Sequence, residues 1–333
     1  MDIILMKAIV WTQYGPPEVL RLAEVAKPAP KDDEVLIRVY ATTVTTGDCE
    51  VRQLRIPLLF RLPMRLYAGL RKPTRITILG QELAGEVEAT GKGVRGFKKG
   101  DRVFGTAGTG FGAYAEYACL PEKPEDGVLA TIPAGLTYEE AAAIPVGGLE
   151  ALHFLRKGNV GSGQKVLING AGGSIGTFAV QLAKHFGAEV TGVDSGGKLD
   201  MLRSIGTDYV IDYAREDFTK NGEAYDVIFD VAGKSPFSRS VRSLKKGGRY
   251  ILANPGLSHI VRGLWTSLSS GRKVIIGGSN YRNEDLLFLR DLIEAGKIRP
   301  VVDRRYPLEL MAEAHRYVET GQKKGSVVIT VNQ

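Results

Sequence analysis

With only two cysteines, four histidines and two tryptophans in 333 residues, this chain offers little material for metal clusters or disulfide frameworks. Cys49 and Cys119 form no C-x-x-C pair, so both read as buried or unreactive thiols of a chain expected in the cytoplasm. His153, His185, His259 and His315 are too scattered to make a metal site by local spacing. A basic leader followed by an apolar core is missing, as is any uninterrupted run of about 18 apolar residues, so no stable membrane insertion is expected. Charge of one sign is not gathered into a tail either. The net charge of +7 is spread along the chain, which makes a nucleic-acid partner unnecessary, and a mild positive field suits a phosphate-bearing cofactor. No internal repeat or low-complexity segment occurs. The segment LRIPLLFRLPMRLYAGL (54–70) is apolar but broken by Arg55, Arg61, Arg65, Pro57 and Pro63, so it cannot span a bilayer. It fits an internal helix or loop packed on the core, a hydrophobic rim over a substrate cleft, or a contact with a membrane surface.

At this length two domains are the natural expectation. From residue 6 to about 120 short alternating segments, 7–11, 34–40 and 82–89, are bounded by Gly, Pro and Asp, which predicts a barrel-like β domain. Beyond Pro133 the period changes. Helical segments at 138–145 and 148–156 precede an alternation of strands (165–169, 189–193, 226–231, 248–253, 273–277) and helices (174–186, 198–205, 236–244). That order predicts βαβ units and a parallel doubly wound sheet, making the fold class α/β. Helices at 284–295 and 307–320 and a strand at 326–331 close the chain.

GAGGSIG (170–176) lies between the apolar run Val166-Leu167-Ile168 and a helix-period run from Phe178 to Ala183. A strand, a glycine turn and a helix in that order bring backbone N–H groups and a helix N-terminus to a pyrophosphate. Read from Ala171 the turn is A-x-G-x-x-G, with Gly173 and Gly176 in register and Ser174 and Ile175 between them. Eighteen residues past Gly176, Asp194 ends a second strand-like run, where a carboxylate meets an adenosine ribose. A dinucleotide is the expected ligand.

GQELAGEVEATGKGVRGFKKGDRVFG (80–105) resembles, over almost every fixed position, the G-H-E-x-x-G-x-V signature of the medium-chain dehydrogenase/reductase superfamily. ATTVTTGD (41–48), GTDYVIDY (206–213) and GQKKGSVVI (321–329) add to the likeness, which points to the zinc-free quinone oxidoreductase and enoyl reductase-like branch. The resemblance implies a GroES-like β-barrel catalytic domain (residues 1–126), a Rossmann doubly wound parallel sheet (127–279) and a C-terminal return to the catalytic domain (280–333). It implies an active site in the cleft between the domains, and a homodimer joined through the last Rossmann strand near Val274 to Ile276.

Two departures from the pattern carry the chemistry. The family's zinc-binding histidine is Gln81 here, and its zinc-binding cysteine is Thr45. An amide and a hydroxyl are poor zinc ligands. The four-cysteine structural lobe is missing too, and Cys49 stands four residues from the ligand position, so no metal is expected. Without a Lewis acid, a simple alkoxide lacks a strong stabiliser. Hydride addition to a quinone or an α,β-unsaturated carbonyl leaves instead a delocalised anion that a few hydrogen bonds can hold. The expected activity is therefore NAD(P)H-dependent hydride transfer to such conjugated acceptors. A zinc-type alcohol dehydrogenase with unusual ligands and a non-enzymatic nucleotide-binding protein are the alternatives.

By the resemblance Thr45, Thr46 and Asp48 line the cleft beneath the nicotinamide, where a hydroxyl would orient the substrate oxygen; as residues, they are equally good turn formers. Gln81 would donate to a carbonyl or fill the vacated ligand space. Ala171, Gly173, Ser174, Ile175 and Gly176 face the pyrophosphate. At the 2′ position Asp194 favours a ribose diol, whereas Ser195, Lys198 and Tyr213 stand where the zinc-free branch often holds a 2′-phosphate, and the balance leans to NADPH. Lys198 also reads as a solvated side chain, Tyr213 as a core or strand-end residue, and Lys323 and Lys324 as either phosphate contacts or an exposed turn pair.

Overall fold

A computed structural model describes residues 3–332. They gather into two compact units. The first runs to Val146 and takes in Tyr281–Glu294 and the chain from Pro300 onward; the second is Gly147–Asn280 with Ala295–Arg299.

In the first unit the strands are β1 (Leu5–Trp11), β2 (Leu20–Ala26), β3 (Glu34–Val44), β4 (Glu82–Thr90), β5 (Arg102–Thr106), β6 (Tyr117–Pro121) and β7 (Val128–Thr131). Helices α1 (Thr46–Gln53), α2 (Leu58–Ala68) and α3 (Tyr138–Ala142) lie among or after them. β3 organises the unit. Its N-terminal half pairs with β6, its C-terminal end pairs with a strand from the far end of the chain, and β4 runs antiparallel along its other side. Two register shifts against β4 bend it, as bulges do at barrel corners. Val35, Ile37 and Val39 alternate inward and meet Leu83, Val87, Val103 and Leu129. At about 1.5–3 kcal/mol for each fully buried side chain, this layer fixes the end of β3, from which α1 departs.

The second unit comprises most of α4 (Pro145–Lys157), then β8 (Lys165–Asn169), α5 (Ser174–His185), β9 (Glu189–Asp194), α6 (Leu199–Ser204), β10 (Tyr209–Asp212), β11 (Tyr225–Asp230), α7 (Phe237–Arg242), β12 (Leu244–Leu252), α8 (Leu257–Ser269) and β13 (Lys273–Ile276). The sheet order is β10-β9-β8-β11-β12-β13, every pair parallel. The order reverses between β8 and β11, the switch point at whose carboxyl ends dinucleotides bind in sheets of this kind. The chain then returns to the first unit through α9 (Asn283–Glu294), β14 (Val302–Pro307), α10 (Met311–Glu319) and β15 (Ser326–Thr330), with β15 parallel to β14 and antiparallel to β3.

Several elements differ from expectation. No expected segment corresponds to β2, β5, β6, β7, α1, α8, β10 or β14. In β2 the charges of LRLAEVA mask the strand, and in α8 glycine, serines and β-branched residues lower helix propensity. The expected helix 307–320 opens as a tight turn, Leu308–Leu310, before α10. Segment 54–70 does contain a helix, but packing on the core holds only along a narrow line. Met64 and Ala68 of α2 join the cluster around Trp11, Leu79 and Tyr114, while its leucines stay exposed.

Candidate active site

The turn between β8 and α5 in the second unit is shaped by its own close contacts. The N–H groups of Gly170 and Ala171 both donate to the Val193 carbonyl (2.9 and 3.2 Å), tying the turn to β9. A Cβ at Gly176 would stand 2.2 Å from the Gly170 carbonyl oxygen, so no larger residue fits without displacing the turn. Gly173 caps α5 with no side chain of its own. The N-terminal end of α5, which opens on Ser174 and Ile175, suits a pyrophosphate.

Behind the turn, Asp194 is fully engaged. Its Oδ2 accepts from the Gly172 N–H (2.8 Å) and its Oδ1 from the Ser195 N–H (2.8 Å), while the Lys198 ammonium lies 3.0 Å from Oδ1. Asp194 and Lys198 are only 6% and 5% exposed. Lys198 is thus no solvated side chain; it neutralises the carboxylate that would repel a 2′-phosphate. Tyr213 follows β10, donates its N–H to the Asp194 carbonyl (3.2 Å) and keeps its ring exposed, outside the core. The fold brings Gly172, Asp194, Ser195, Lys198 and Tyr213 together. Lys324 belongs to the first unit, where its N–H donates to Asp303 (3.0 Å) and its side chain is exposed, while Lys323 is buried and donates to the Gly325 carbonyl (2.7 Å).

One cluster escaped sequence reasoning. At the switch point Asn169 and Asp230 are register partners at the ends of β8 and β11. Asp230 accepts from the Asn169 amide (2.9 Å), the Gly233 N–H (2.8 Å) and the Tyr250 hydroxyl (2.9 Å), and Asn169 also donates to Ser235 (2.7 Å). Burial and the neighbouring Asp230 charge push the Tyr250 hydroxyl's proton affinity up, keeping it a donor. These hydrogen bonds hold the carboxyl ends of the two central strands at a fixed separation. Polar residues closing two strands are the local signal, but their side-chain partners lie 20 to 66 positions away.

In the first unit, Thr45 is the N-cap of α1. Its hydroxyl donates to Asp48 Oδ2 (2.7 Å) and accepts from the Asp48 N–H (3.0 Å), and the Thr45 N–H donates to the same carboxylate oxygen (2.9 Å). A hydroxyl has one proton to donate. That of Thr45 is directed to Asp48, in keeping with the turn-forming reading of the pair. Asp48 is likewise a buried capping residue; burial pushes its carboxyl up to about 6 against the lowering effect of the Thr45 hydrogen bonds. The Tyr114 hydroxyl is close enough to lower that carboxyl's proton affinity, yet neither it nor Asp48 Oδ1 completes a hydrogen bond of good geometry. Thr46, the next residue, is exposed. Gln81 stands close by: a Cβ on Gly47 would lie 3.5 Å from Thr45 Oγ1 and 3.6 Å from Gln81 Oε1. Beside it Glu82 is buried, accepting from the Thr43 hydroxyl and from the Val146 N–H (2.7 Å), and burial pushes its carboxyl up to about 7.

The donor set does not fit zinc. Thr45 and Gln81 occupy the positions in question, the Thr45 proton is committed to Asp48, and an amide oxygen is a weak ligand beside thiolate or imidazole. Cys49 instead faces His315 Nδ1 (3.2 Å), with burial holding the thiol up and the imidazole down at about 3. Among the described residues no three His, Cys, Asp or Glu side chains gather as a metal site.

Two family models match the chain. Residues 31–132 match the alcohol dehydrogenase GroES-like domain and residues 205–329 match the zinc-binding dehydrogenase model, whose name the residues at 45 and 81 do not support. The chain is 32% identical to the 2-methylene-furan-3-one reductase of Solanum lycopersicum over 97% of its length and 79% of the relative's. It is 32% identical, with the same two shares, to an NADPH-dependent alkenal/one oxidoreductase, chloroplastic, of Arabidopsis thaliana. Among solved structures, the quinone oxidoreductase from Coxiella burnetii superposes with a TM-score of 0.86 at 29% identity, covering 99% of this chain and 100% of that one. Fold, cofactor turn and relatives agree: the chain belongs to the medium-chain dehydrogenase/reductase superfamily, in its quinone oxidoreductase branch.

Proposed function

We propose that this protein reduces quinones or α,β-unsaturated carbonyl compounds with a nicotinamide dinucleotide and without zinc. The observation that carries the reading is the pairing of an intact dinucleotide turn with Thr45 and Gln81 at the positions of metal ligands. When bound, the nicotinamide supplies the hydride. The N–H groups at the start of α5, with Ala171, Gly173, Ser174, Ile175 and Gly176, bind the pyrophosphate. The exposed Thr46 hydroxyl and the Gln81 amide donate to the acceptor's oxygen, stabilising the delocalised enolate or phenolate. Thr45 and Asp48 hold the start of α1 and with it Thr46, hydrogen bonds from Thr106 and Ala107 to the Gln81 carbonyl (both 2.8 Å) hold Gln81, and solvent delivers the proton. NADPH is the preferred form, since Lys198 neutralises Asp194 3.0 Å away and leaves Ser195 and Tyr213 free of a repelling charge. A cytoplasmic homodimer completes the reading. β13 is a half-buried edge strand, and α8 beside it exposes Val261, Leu264, Trp265 and Leu268.

The test is steady-state oxidation of NADPH and NADH by a quinone, an enone and a matched saturated ketone, in the presence of a chelator. Turnover of the first two acceptors with NADPH is expected. Comparable rates on the saturated ketone, or activity abolished by the chelator, would overturn the reading.

A further inference from the structure

Helix α2 has four rows of side chains at helical spacing. Phe60, Met64 and Ala68 form one row, of which Met64 and Ala68 reach the core cluster while Phe60 is 58% exposed. The opposite row is Leu58, Leu62 and Leu66, with Leu59 beside it, and these four are 73%, 62%, 51% and 64% exposed. Arg61 and Arg65 form the row between. Four large apolar side chains in one contiguous exposed stripe exceed the scattered surface leucines of an ordinary fold. The helix is also firmly seated: the Tyr14 hydroxyl donates to the Gly69 carbonyl (2.6 Å), the Tyr67 hydroxyl to the Thr109 carbonyl (3.0 Å) and Arg75 to the Leu66 carbonyl (2.8 Å). The stripe is therefore held outward by a fixed helix.

Charge identifies the occupant. Residues 51–81 contain no Asp or Glu, while Arg55, Arg61, Arg65, Arg71, Lys72 and Arg75 are all exposed. An apolar stripe flanked by arginines on a short helix is the pattern of a segment lying in the plane of a membrane interface, its leucines among acyl chains and its cations among headgroups. The helix is too short to span: among the described residues no helix is long and apolar enough to cross a membrane. We infer that α2 docks the folded protein peripherally on an anionic lipid surface. The arginines of this acid-free stretch beside the leucine stripe suit phosphodiester headgroups, which supply negative charge. The inference is independent of the reductase reading, because binding can be measured without turnover.

The experiment is co-sedimentation of the full-length protein with vesicles of phosphatidylcholine alone and of phosphatidylcholine mixed with phosphatidylglycerol, at low and high salt. Binding to the anionic vesicles only, weakened by salt, is expected. The paired change Arg61→Gln with Arg65→Gln should lower partitioning about tenfold or more, and Leu62→Ser with Leu66→Ser should abolish it, both at unchanged melting temperature. Equal binding to both vesicle types, no binding to either, or leucine variants that still bind would overturn the inference. So would leucine variants that lose only self-association in sedimentation equilibrium, which would make the stripe a contact between copies. A raised KM for an apolar quinone with vesicle binding intact would make it a substrate rim instead.

Discussion

Replacing Thr45 by Val separates the two readings of this residue. The substitution keeps the shape and removes the hydroxyl that caps α1 and donates to Asp48 Oδ2 at 2.7 Å. Losing an N-cap costs about 1 kcal/mol, and losing a hydrogen bond to a charged buried acceptor costs about 1.5–3 kcal/mol. A loss of about 2–4 kcal/mol follows, a large fraction of an ordinary domain's stability. The sign of its pH dependence is fixed. Asp48 has a folded value of about 6 against 3.8 for the free side chain, so its contribution is greatest below the free value and is lost as pH rises through 6. Without the Thr45 donor the carboxylate is disfavoured further, so the destabilisation should be larger at pH 8 than at pH 5. Urea unfolding at both pH values, with Thr45→Ser as the conservative control, measures this. A loss below about 0.5 kcal/mol at both pH values would refute the capping argument. So would equal losses, or a serine variant as unstable as the valine one.

The other expectations rest on separate contacts. Glu82, raised from 4.5 to about 7 by burial, should make wild-type stability fall between those pH values, and Glu82→Gln should remove about 3 kcal/mol of that dependence in urea titrations; a wild type with constant stability over this range would contradict it. Gly176→Ala, whose Cβ would stand 2.2 Å from a carbonyl oxygen, should weaken NADPH binding at least about tenfold in a fluorescence titration while leaving the circular dichroism of the sheet unchanged, and undiminished affinity would remove the turn from the cofactor site. Lys198→Ala should weaken NADPH by about 1–3 kcal/mol and spare NADH, with Asp194→Ser in the same chain restoring the stability lost by unpairing a buried charge. Equal weakening of both cofactors would show that Lys198 is not near the 2′ position.

The alternation of apolar strands and helices from 165 to 276 was readable because buried parallel strands and amphipathic helices have different periods, and the turn at 170–176 because glycine spacing records backbone approach. The T-x-x-D pattern of Thr45 and Asp48 fits a capping box as well as a likeness to a metal-ligand position, and the sequence alone does not rank the two. Asn169, Asp230 and Tyr250 carry no shared local signal; strand pairing alone brings them together. Segment 54–70 shows the limit most clearly. Leucine at helical spacing says that a face is apolar, not whether the rest of the chain covers it, and α2 turns its leucine row outward.

The discontinuity of the first unit sets an order of events during synthesis. β3 needs β15 to pair its Ala41–Val44 end, and the fully buried Arg52 has its carboxylate partner in Glu319, 267 residues downstream. At ribosomal speeds of about 5–20 residues per second, the early strands wait roughly 15–60 s for their last neighbour. The parallel sheet, continuous from β8 to β13, has all its strands first. The portion encoded second therefore folds first, while an open strand edge and an unpaired guanidinium remain exposed to chaperones and proteases. A premature stop that removes only α10 and β15 would thus destroy the first unit and leave the parallel sheet intact.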